Sequence, residues 1–387
     1  MPWKEKTVEE NRTGFVAEAL VKEKSISQLC REYNITRKTG YKWLDRAKNN
    51  EPMDDKTRGT GNHPMKTSSE KEAVILNARA DHPAWGARKL KRHLENQGHT
   101  GLPAQSTICE ILKRNGMVLP EESAARVPYK RFEKSHPNEM WQMDFKGDFE
   151  MLNARRCYPL TVLDDHSRFS ICLEAKENQQ GKNVFESIHK LFKEYGLPNG
   201  ILCDNGPPWG SSQPGGMTHF DVWMMQLDIL PIHCRPLHPQ TQGKDERFHR
   251  TLKDEVLKRE QFEDIASAQR SFDKWRQIYN YERPHNAIDL DTPANRYRIS
   301  KKSMPPVLKE PEYDIGKDLR KVNYKGYISI LSRRYYLSEA LIGKVLELKS
   351  VSETEIGLFY GEYRVAKIDI NEQIFTSRRV YRCGAET

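Results

Sequence analysis

The chain has 387 residues, enough for two or three folding units. Hydrophobic residues make up 37% of it and charged residues 30%, a balance that permits packed cores and argues against a membrane protein. No apolar run approaches the roughly 20 residues that span a bilayer, and the charged start MPWKEKTVEEN shows no secretory signal. We therefore expect a cytoplasmic protein that makes no membrane contact.

The net charge of +9 is spread unevenly along the chain. Residues 1–140 carry +7 (26 Lys and Arg against 19 Asp and Glu), and residues 301–387 carry +4 (16 against 12). Residues 141–300 between them carry −2 (21 against 23). Basic segments suit DNA, because each neutralised phosphate releases counterions. Ordinary surface solubility explains a charge of this size equally well.

Residues 1–50 have the pattern of three short helices, the last in RKTGYKWLDRAK. In that helix Tyr41 and Leu44 can face inward while basic side chains face outward, as in a recognition helix. We predict a helix-turn-helix DNA-binding domain, although a plain three-helix packing motif would look similar. Its candidate DNA-binding residues are Arg37, Lys38, Tyr41 and Lys42.

A polar linker leads to a second helical block at residues 66–120. Three helices are predicted there, in SSEKEAVILNARAD, GARKLKRHLENQG and AQSTICEILKRNG, and the last two end at a glycine suited to a C-cap. The middle helix is basic and the third has the proportions of a recognition helix. This block is predicted to be a second helix-turn-helix or winged-helix-like DNA-binding domain, with a solvated basic face as the alternative. Its candidate DNA-binding residues are Arg88, Lys89, Gln105 and Ser106.

Residues 138–300 mix strands and helices. Three strand-like runs come first, as in a meander, and then the strands GILCD and ILPIHC alternate with helices. Two longer helical regions follow, at 241–259 and 264–281. This order predicts an α/β core with a mixed sheet flanked by helices.

From residue 315 to residue 387 only strand patterns remain, at short regular spacing. They predict a small β-barrel for DNA binding or assembly. The predicted fold class is therefore multidomain: all-α helix-turn-helix modules, a central α/β core and a C-terminal small β-barrel.

Three acids stand where the predicted sheet gathers functional groups. Asp144 lies within its first strand, Asp204 at the carboxyl end of its fourth, and Glu246 on the helix that follows the last strand. Carboxylates are the ligands that Mg²⁺ prefers. Two such ions about 3.5 to 4 Å apart can activate an attacking oxygen and stabilise a leaving one.

Several stretches resemble the catalytic core of retroviral integrases and of related bacterial insertion-sequence transposases. They are WQMDF, TVLDDHSRF, CDNGPP, HPQTQGKDERFHRTLK and NYERPHNA, in the order that the family shows. The resemblance implies an RNase H-like core with Asp144, Asp204 and Glu246 as its catalytic, metal-binding DDE triad. It also implies two Mg²⁺ ions, for which Mn²⁺ can substitute. Asp204 and Glu246 are separated by 41 residues, more than in integrases, and the loop PWGSSQPGG accounts for the excess.

The same resemblance implies a transposase that binds the terminal inverted repeats of a mobile element, cleaves at its ends and joins the 3′-OH to target DNA. Its partners would be double-stranded DNA and further copies of itself, at least a dimer, on the nucleoid of a bacterium. A structure-specific nuclease on the same fold and a catalytically inactive DNA-binding regulator are the alternatives.

Other polar residues near the triad are candidate DNA contacts. Arg250 and Lys253 follow Glu246 by four and seven residues and share its helix face, so either could bind phosphate. Pairing of Arg250 with Glu246 is the alternative. Asn205 and His238 flank the acids and either contact DNA, support the site or pack.

Four further acids are weighed against the triad. Asp164 and Asp165 are expected to cap a turn, and Asp148 to lie on the same strand as Asp144 but farther from the centre of the site. Asp245 precedes Glu246 on a helix and therefore points about 100° away from it.

Overall fold

The computed structural model describes most of the chain: residues 7–55, 67–118, 133–210, 216–234, 243–369, 371, 375–376 and 380–382. The chain divides into two compact units, Met1–Lys66 and Thr67–Thr387. Among the described residues, no helix is both long and apolar enough to cross a membrane. The finer boundaries given above remain predictions.

The described part of the first unit, residues 7–55, contains the three predicted helices: α1 (Val8–Val21), α2 (Ile26–Glu32) and α3 (Arg37–Lys48). Each begins after a hydroxyl side chain that accepts a hydrogen bond from the backbone N–H three residues later. These N-caps are Thr7, Ser25 and Thr36.

The prediction that Tyr41 faces inward is wrong. Trp43 is the buried aromatic residue of α3, 4% exposed, whereas Tyr41 is 49% exposed. The other helices approach α3 at Gly40, where a Cβ would lie 2.6 Å from Cys30 Sγ and 2.9 Å from Phe15 Cζ. Because Gly40 and Trp43 are three residues apart, they share the inward face of the helix. Tyr41 is left with the exposed basic residues.

The second unit opens with the three predicted helices: α4 (Ser69–Asp81), α5 (Ala87–Asn96) and α6 (Gln105–Arg114). Gly98 and Gly116 follow α5 and α6 with φ of +91° and +68°, the left-handed conformation that glycine favours at helix ends. Their shared core is built around Ile75, Leu90 and Ile108, and Ile278 from later in the chain packs against it. The helical block therefore packs on the domain that follows it.

The predicted mixed sheet is confirmed. Its strands are β1 (Trp141–Phe145), β2 (Phe149–Glu150), β3 (Arg156–Asp164), β4 (Ser170–Lys176), β5 (Gly200–Cys203) and β6 (Leu230–His233). Their order is β2-β3-β1-β5-β6, and β4 also pairs with β3, outside this sequence of neighbours. β1, β5 and β6 run parallel to one another, while β3 is antiparallel to both β1 and β4.

Helices cover both faces of this sheet. They are α7 (Gly181–Tyr195), α8 (His219–Gln226), α9 (Gly243–Leu252), α10 (Ile265–Gln277) and α11 (Pro293–Arg296), and π-helical segments at Lys253–Leu257 and Ile278–Glu282 extend α9 and α10. Successive residues of β3 point to opposite faces. Val162 packs with residues of α7 and α8, and Leu163 packs with residues of α9 and α10.

The described residues of the C-terminal region form eight strands, which do not close into the predicted barrel. The strands are β7 (Leu319–Lys321), β8 (Tyr327–Ile330), β9 (Arg333–Tyr336), β10 (Val345–Ser350), β11 (Glu355–Tyr360), β12 (Tyr363–Asp369), β13 (Phe375–Thr376) and β14 (Tyr381–Arg382). One open sheet has the order β13-β12-β11-β10-β7, with β14 paired to β12, and a separate two-stranded sheet pairs β8 with β9.

No closed barrel exists among the described residues, because the end strands β7 and β13 do not pair with each other. The apolar side chains of the sheet share one core with Ile328 and Ile330 of β8 and with Val222 and Met225 of α8. The C-terminal sheet therefore packs on both a hairpin of its own region and a helix of the core.

Candidate active site

Asp144 and Asp204 are brought together by neighbouring parallel strands. Trp141 of β1 lies beside Ile201 of β5, and Gln142 beside Leu202. Continuing that register places Asp144 beside Asp204, the residue that follows β5. Burial raises the pKa of Asp144 to about 7, and the charge of Asp204 adds to the effect. Two carboxylates this close resist simultaneous ionisation unless a cation compensates them.

Asp204 is held by donors on one side of its carboxylate. Oδ1 accepts a hydrogen bond of 3.1 Å from the Gly206 backbone and one of 2.6 Å from Trp209 Nε1. Both donors meet the same oxygen. In the part of the chain that the structure describes, Oδ2 has no such donor and is available to a cation.

A buried histidine that sequence analysis missed supports Asp144. The Thr161 hydroxyl donates to the Asp144 carbonyl at 2.9 Å, so its oxygen must accept from His249 Nε2, also at 2.9 Å. Burial, and then the charge of Lys146, lower the pKa of His249 to about 3. The neutral ring therefore turns an unprotonated Nδ1 towards Asp144 Oδ2, 3.9 Å away.

Glu246 and Asp245 occupy opposite environments in the first turn of α9. Glu246 is exposed, and its charge is among those that raise the pKa of Asp144. Asp245 is fully buried, and its carboxylate has no hydrogen-bond partner among the described residues. No three potential ligands lie close enough to hold a metal in the described part of the chain. The role of Glu246 as third ligand stays a prediction, and His238 lies outside the described residues.

Basic side chains surround the acids. Lys146 is close enough to Asp144 for their charges to interact, while burial and the charge of Lys253 lower the pKa of Lys146. Arg250 is exposed, and among the residues described here no ion pair joins it to Glu246. Sequence analysis missed Lys146, although a residue two positions after Asp144 on an extended chain shares its face.

Asn205 supports the site from the end of the sheet. Its Nδ2 donates to the Cys234 carbonyl at 2.6 Å, which ties the segment after β5 to the segment after β6. The side chain is otherwise exposed, so this contact leaves room for DNA.

The remaining acids have structural partners. Asp164 accepts from the backbone of Asn138 at 2.7 Å and of Ser167 at 2.8 Å, the turn-capping role predicted for it. Asp165 is buried, accepts from Gln142 at 2.6 Å and pairs with Lys244.

Asp148 does not lie on a strand, contrary to prediction. It falls in the connection between β1 and β2, where it pairs with Arg156 of β3. The first of the three predicted strand-like runs is interrupted at this turn, which contains Gly147 with φ +89°.

The predicted DNA-binding residues lie in two places. On the first unit, Arg37, Lys38, Tyr41 and Lys42 are all exposed on α3. In the second unit, one groove of about 750 Å³ is lined by Arg88, Lys89, Gln105 and Ser106, together with Asn286. Burial, and then the charge of Arg283, lower the pKa of Lys89 to about 7.

Comparison with known families agrees with this architecture. Two family profiles described as "Integrase core domain" match residues 134–239 and 227–293. A third, described as "Homeodomain-like domain", matches residues 39–112.

Similar proteins come from bacterial insertion sequences and from a retrovirus. An uncharacterized 39.2 kDa protein of insertion element IS476 of Xanthomonas euvesicatoria is 32% identical over 160 residues, covering 41% of this chain and 44% of that protein. The putative transposase of IS5376 of Geobacillus stearothermophilus is 23% identical over 361 residues, 91% of this chain and 86% of that one. The HTLV-2 integrase catalytic core domain, solved in complex with magnesium, is 16% identical with a TM-score of 0.32, covering 42% of this chain and 99% of that one.

The chain spans 44% and 61% of the length of two of its curated relatives, the IS476 protein and one from IS407 of Burkholderia multivorans. The similarity is nevertheless continuous through the segment that carries the acids, because the two integrase core matches overlap and together cover residues 134–293. Residues 134–293 therefore form an integrase core domain, and transposases of bacterial insertion sequences are among the relatives of this chain.

Proposed function

We propose that this protein is a Mg²⁺-dependent DDE transposase with Asp144, Asp204 and Glu246 as its catalytic residues. It would cleave the ends of its element and join the freed 3′-OH to target DNA. The observation that carries this proposal is the pairing of Asp144 and Asp204 on adjacent parallel strands. The pKa of about 7 at Asp144 is that of a carboxyl group whose ionised form needs a nearby cation.

The donor set fits magnesium. All three proposed ligands are carboxylates, the hard oxygen donors that Mg²⁺ prefers, and Mn²⁺ accepts the same ligands. When bound, two such ions supply Lewis-acid stabilisation to the attacking and leaving oxygens of phosphodiester transfer. Two residues of the chain would hold the first ligand in place: Thr161 donates to the Asp144 carbonyl, and His249 Nε2 donates to the Thr161 hydroxyl.

The basic residues beside the acids would position DNA by its phosphates. Lys146 directly follows the strand that carries Asp144. Arg250 lies on the helix that carries Glu246, Lys253 begins its π-helical extension, and Asn205 follows Asp204 directly. Contacts of this kind fix register without reading sequence. We assign the reading of terminal inverted repeats to α3 and to the groove that Gln105 and Ser106 help to line. His238 is proposed as a further DNA contact.

Joining two element ends to one target requires at least two active sites. We therefore propose a homodimer or larger assembly on double-stranded DNA, acting on the nucleoid in the bacterial cytoplasm.

A plasmid integration assay tests the proposal. The full chain is mixed with a labelled duplex ending in the inverted repeats that flank its gene, a supercoiled plasmid and Mg²⁺ or Mn²⁺. We expect label to become covalently joined to the plasmid, and chelator to prevent this. Cleavage without joining would show the structure-specific nuclease instead. Binding without any strand breakage would show the inactive regulator.

A further inference from the structure

Asp204 accepts hydrogen bonds at two places, its carboxylate and its backbone carbonyl. On the carboxylate side, the Trp209 indole donates to Oδ1 at 2.6 Å. Trp209 is 1% exposed, and its ring stacks on Phe145, the neighbour of Asp144, with centroids 5.4 Å apart. The indole is therefore held in one orientation. It contacts Asp204 directly and Phe145, the residue that follows Asp144.

On the carbonyl side, a histidine bridges two acceptors. His233 Nδ1 lies 3.0 Å from the Asp204 carbonyl, and Nε2 lies 2.7 Å from Asp221 Oδ1. A carbonyl and a carboxylate can only accept, so both ring nitrogens donate. Asp221 is 2% exposed and lies in the first turn of α8. Asp221 is thus linked to Asp204 through the imidazole ring of His233.

Thr218, the N-cap of α8, joins the two sides. Its hydroxyl donates to the Trp209 carbonyl at 2.8 Å, and its backbone N–H donates to Asp221 Oδ2 at 2.8 Å. The hydrogen bonds therefore close a ring that starts at the Asp204 carboxylate and returns to the Asp204 carbonyl. We call Trp209, Thr218, Asp221 and His233 the Asp204 circuit.

The circuit also links two residues on either side of the Gly/Pro/Ser-rich stretch that follows Asp204. Trp209 stands at the start of that stretch and Thr218 just beyond its end, and the Thr218 hydroxyl donates to the Trp209 carbonyl. A residue that ligates metal needs a fixed carboxylate, and hydrogen bonds from neighbours supply that.

We propose that the Asp204 circuit is a positioning unit, which holds Oδ1 so that Oδ2 is presented to the divalent cation. This inference rests on the proposed metal-dependent function. Trp209 and His233 are positioning residues, because they bind Asp204 and would act through it. Loss of such partners typically weakens metal binding by about 10- to 100-fold.

Trp209→Phe is the direct test, because it keeps an aromatic side chain and removes the indole N–H donor; the accompanying loss of ring volume is the same in the control. Trp275→Phe is the matched control: Trp275 is also buried and also donates to a carboxylate, Glu255 Oε2 at 2.9 Å, on the α9–α10 side of the sheet. Mn²⁺ binding to the full chain without DNA is followed by the electron paramagnetic resonance signal of free Mn²⁺. The Mg²⁺ concentration for half-maximal strand transfer is measured in parallel.

We expect Trp209→Phe to raise both half-saturating concentrations by about 10-fold or more, with the rate at saturating metal nearly restored. Trp275→Phe should leave both within about twofold of the wild type. Equal metal affinity in the two variants, with melting temperatures showing that both are folded, would overturn the proposal.

A double-mutant cycle with His233→Gln tests the ring itself. Because either substitution opens the circuit, the double variant should lose little more metal affinity than the weaker single variant. Losses that multiply would refute the circuit. Asp204→Asn separates this inference from the proposed function. If that variant still joins strands, the function is wrong; if it is inactive while Trp209→Phe matches its control, only the circuit is wrong.

Discussion

At the scale of single residues, acidic side chains of the candidate site lie in very different environments. Asp144 and Asp245 are both withdrawn from water, and burial raises the pKa of each. Asp144 has a second carboxylate beside it at the end of the adjacent strand, and Glu246 is exposed. Asp245 faces the interior next to Glu246. Side-chain direction, and not acidity, separates the proposed ligands from their neighbours.

This separation predicts the outcome of neutral substitutions. Asp144→Asn, Asp204→Asn and Glu246→Gln keep the size of each side chain and remove a ligand charge, so strand transfer should fall by orders of magnitude while DNA binding persists. Asp245→Asn should leave strand transfer within a few-fold of wild type. Rates from the plasmid assay and affinities from mobility shifts check both statements. An active Glu246→Gln beside an inactive Asp245→Asn would reverse the assignment of the third ligand.

Lys89 provides a second prediction at this scale, on the stability of the fold. Its pKa of about 7 lies below its usual value because of burial and Arg283, with Arg247 acting in the same direction and Glu255 against it. Between pH 7 and pH 10 the unfolded chain therefore binds more protons at this site, and stability rises with pH. Below pH 7 Lys89 is charged in both the folded and the unfolded chain, and the full free-energy cost of burying its charge lowers the stability of the fold.

Lys89→Met should remove that penalty. Around pH 7 the variant should be more stable than the wild type by about 1 kcal/mol, a figure reduced from the full shift because the side chain is only half-buried. The difference in free energy of unfolding between the variant and the wild type should become smaller towards pH 10. Denaturant titrations of both proteins at several pH values give the difference, and a gap that widened with pH would contradict the assigned pKa.

At the scale of elements, helices were predictable from local sequence and sheet closure was not. Caps such as Ser25 and helix-ending glycines such as Gly98 mark their helices within a few residues of chain. Whether β7 pairs with β13 depends on segments more than 50 residues apart and on α8, which covers the sheet. The Asp204 circuit was invisible for the same reason, since Trp209 and His233 come from separate elements.

The tight packing of α3 makes an element-scale prediction. Gly40→Ala would place a methyl group within 3.0 Å of both Cys30 and Phe15. Overpacking of this kind typically costs about 1 to 3 kcal/mol. Limited proteolysis should therefore cut the Gly40→Ala variant faster within residues 7–55 than the wild type. Lys38→Ala, on the exposed face of the same helix, serves as the control and should be cut at the wild-type rate.

At the scale of the whole molecule, recognition and chemistry are assigned to different parts of the chain. The first 140 residues carry a net charge of +7, while the segment with the acids carries −2. A polyanion is attracted by the first and, without divalent cations, is repelled by the second. Binding of DNA and binding of metal should therefore support each other at the catalytic acids.

Neutralising the exposed face of α3 should separate the two tasks. A variant with Arg37, Lys38 and Lys42 all changed to Ala should lose preference for terminal-repeat over scrambled duplex, because base contacts specify and phosphate contacts only position. Its remaining affinity should fall less steeply with salt, since fewer counterions are released. Affinities for both duplexes across a salt series measure this. Undiminished discrimination would move sequence reading away from the first unit.

The helix α8 has a consequence for how such proteins can be recombined. Its first turn contributes Asp221 to the contacts around Asp204, while Val222 and Met225 belong to the core of the C-terminal sheet. Consecutive residues of one eight-residue helix thus serve two neighbours. A chimera that takes its C-terminal sheet from a relative must take a compatible α8 as well, and α8 in turn must suit His233. We therefore expect a C-terminal sheet from another protein to fold on this core only when a matching α8 is transferred with it.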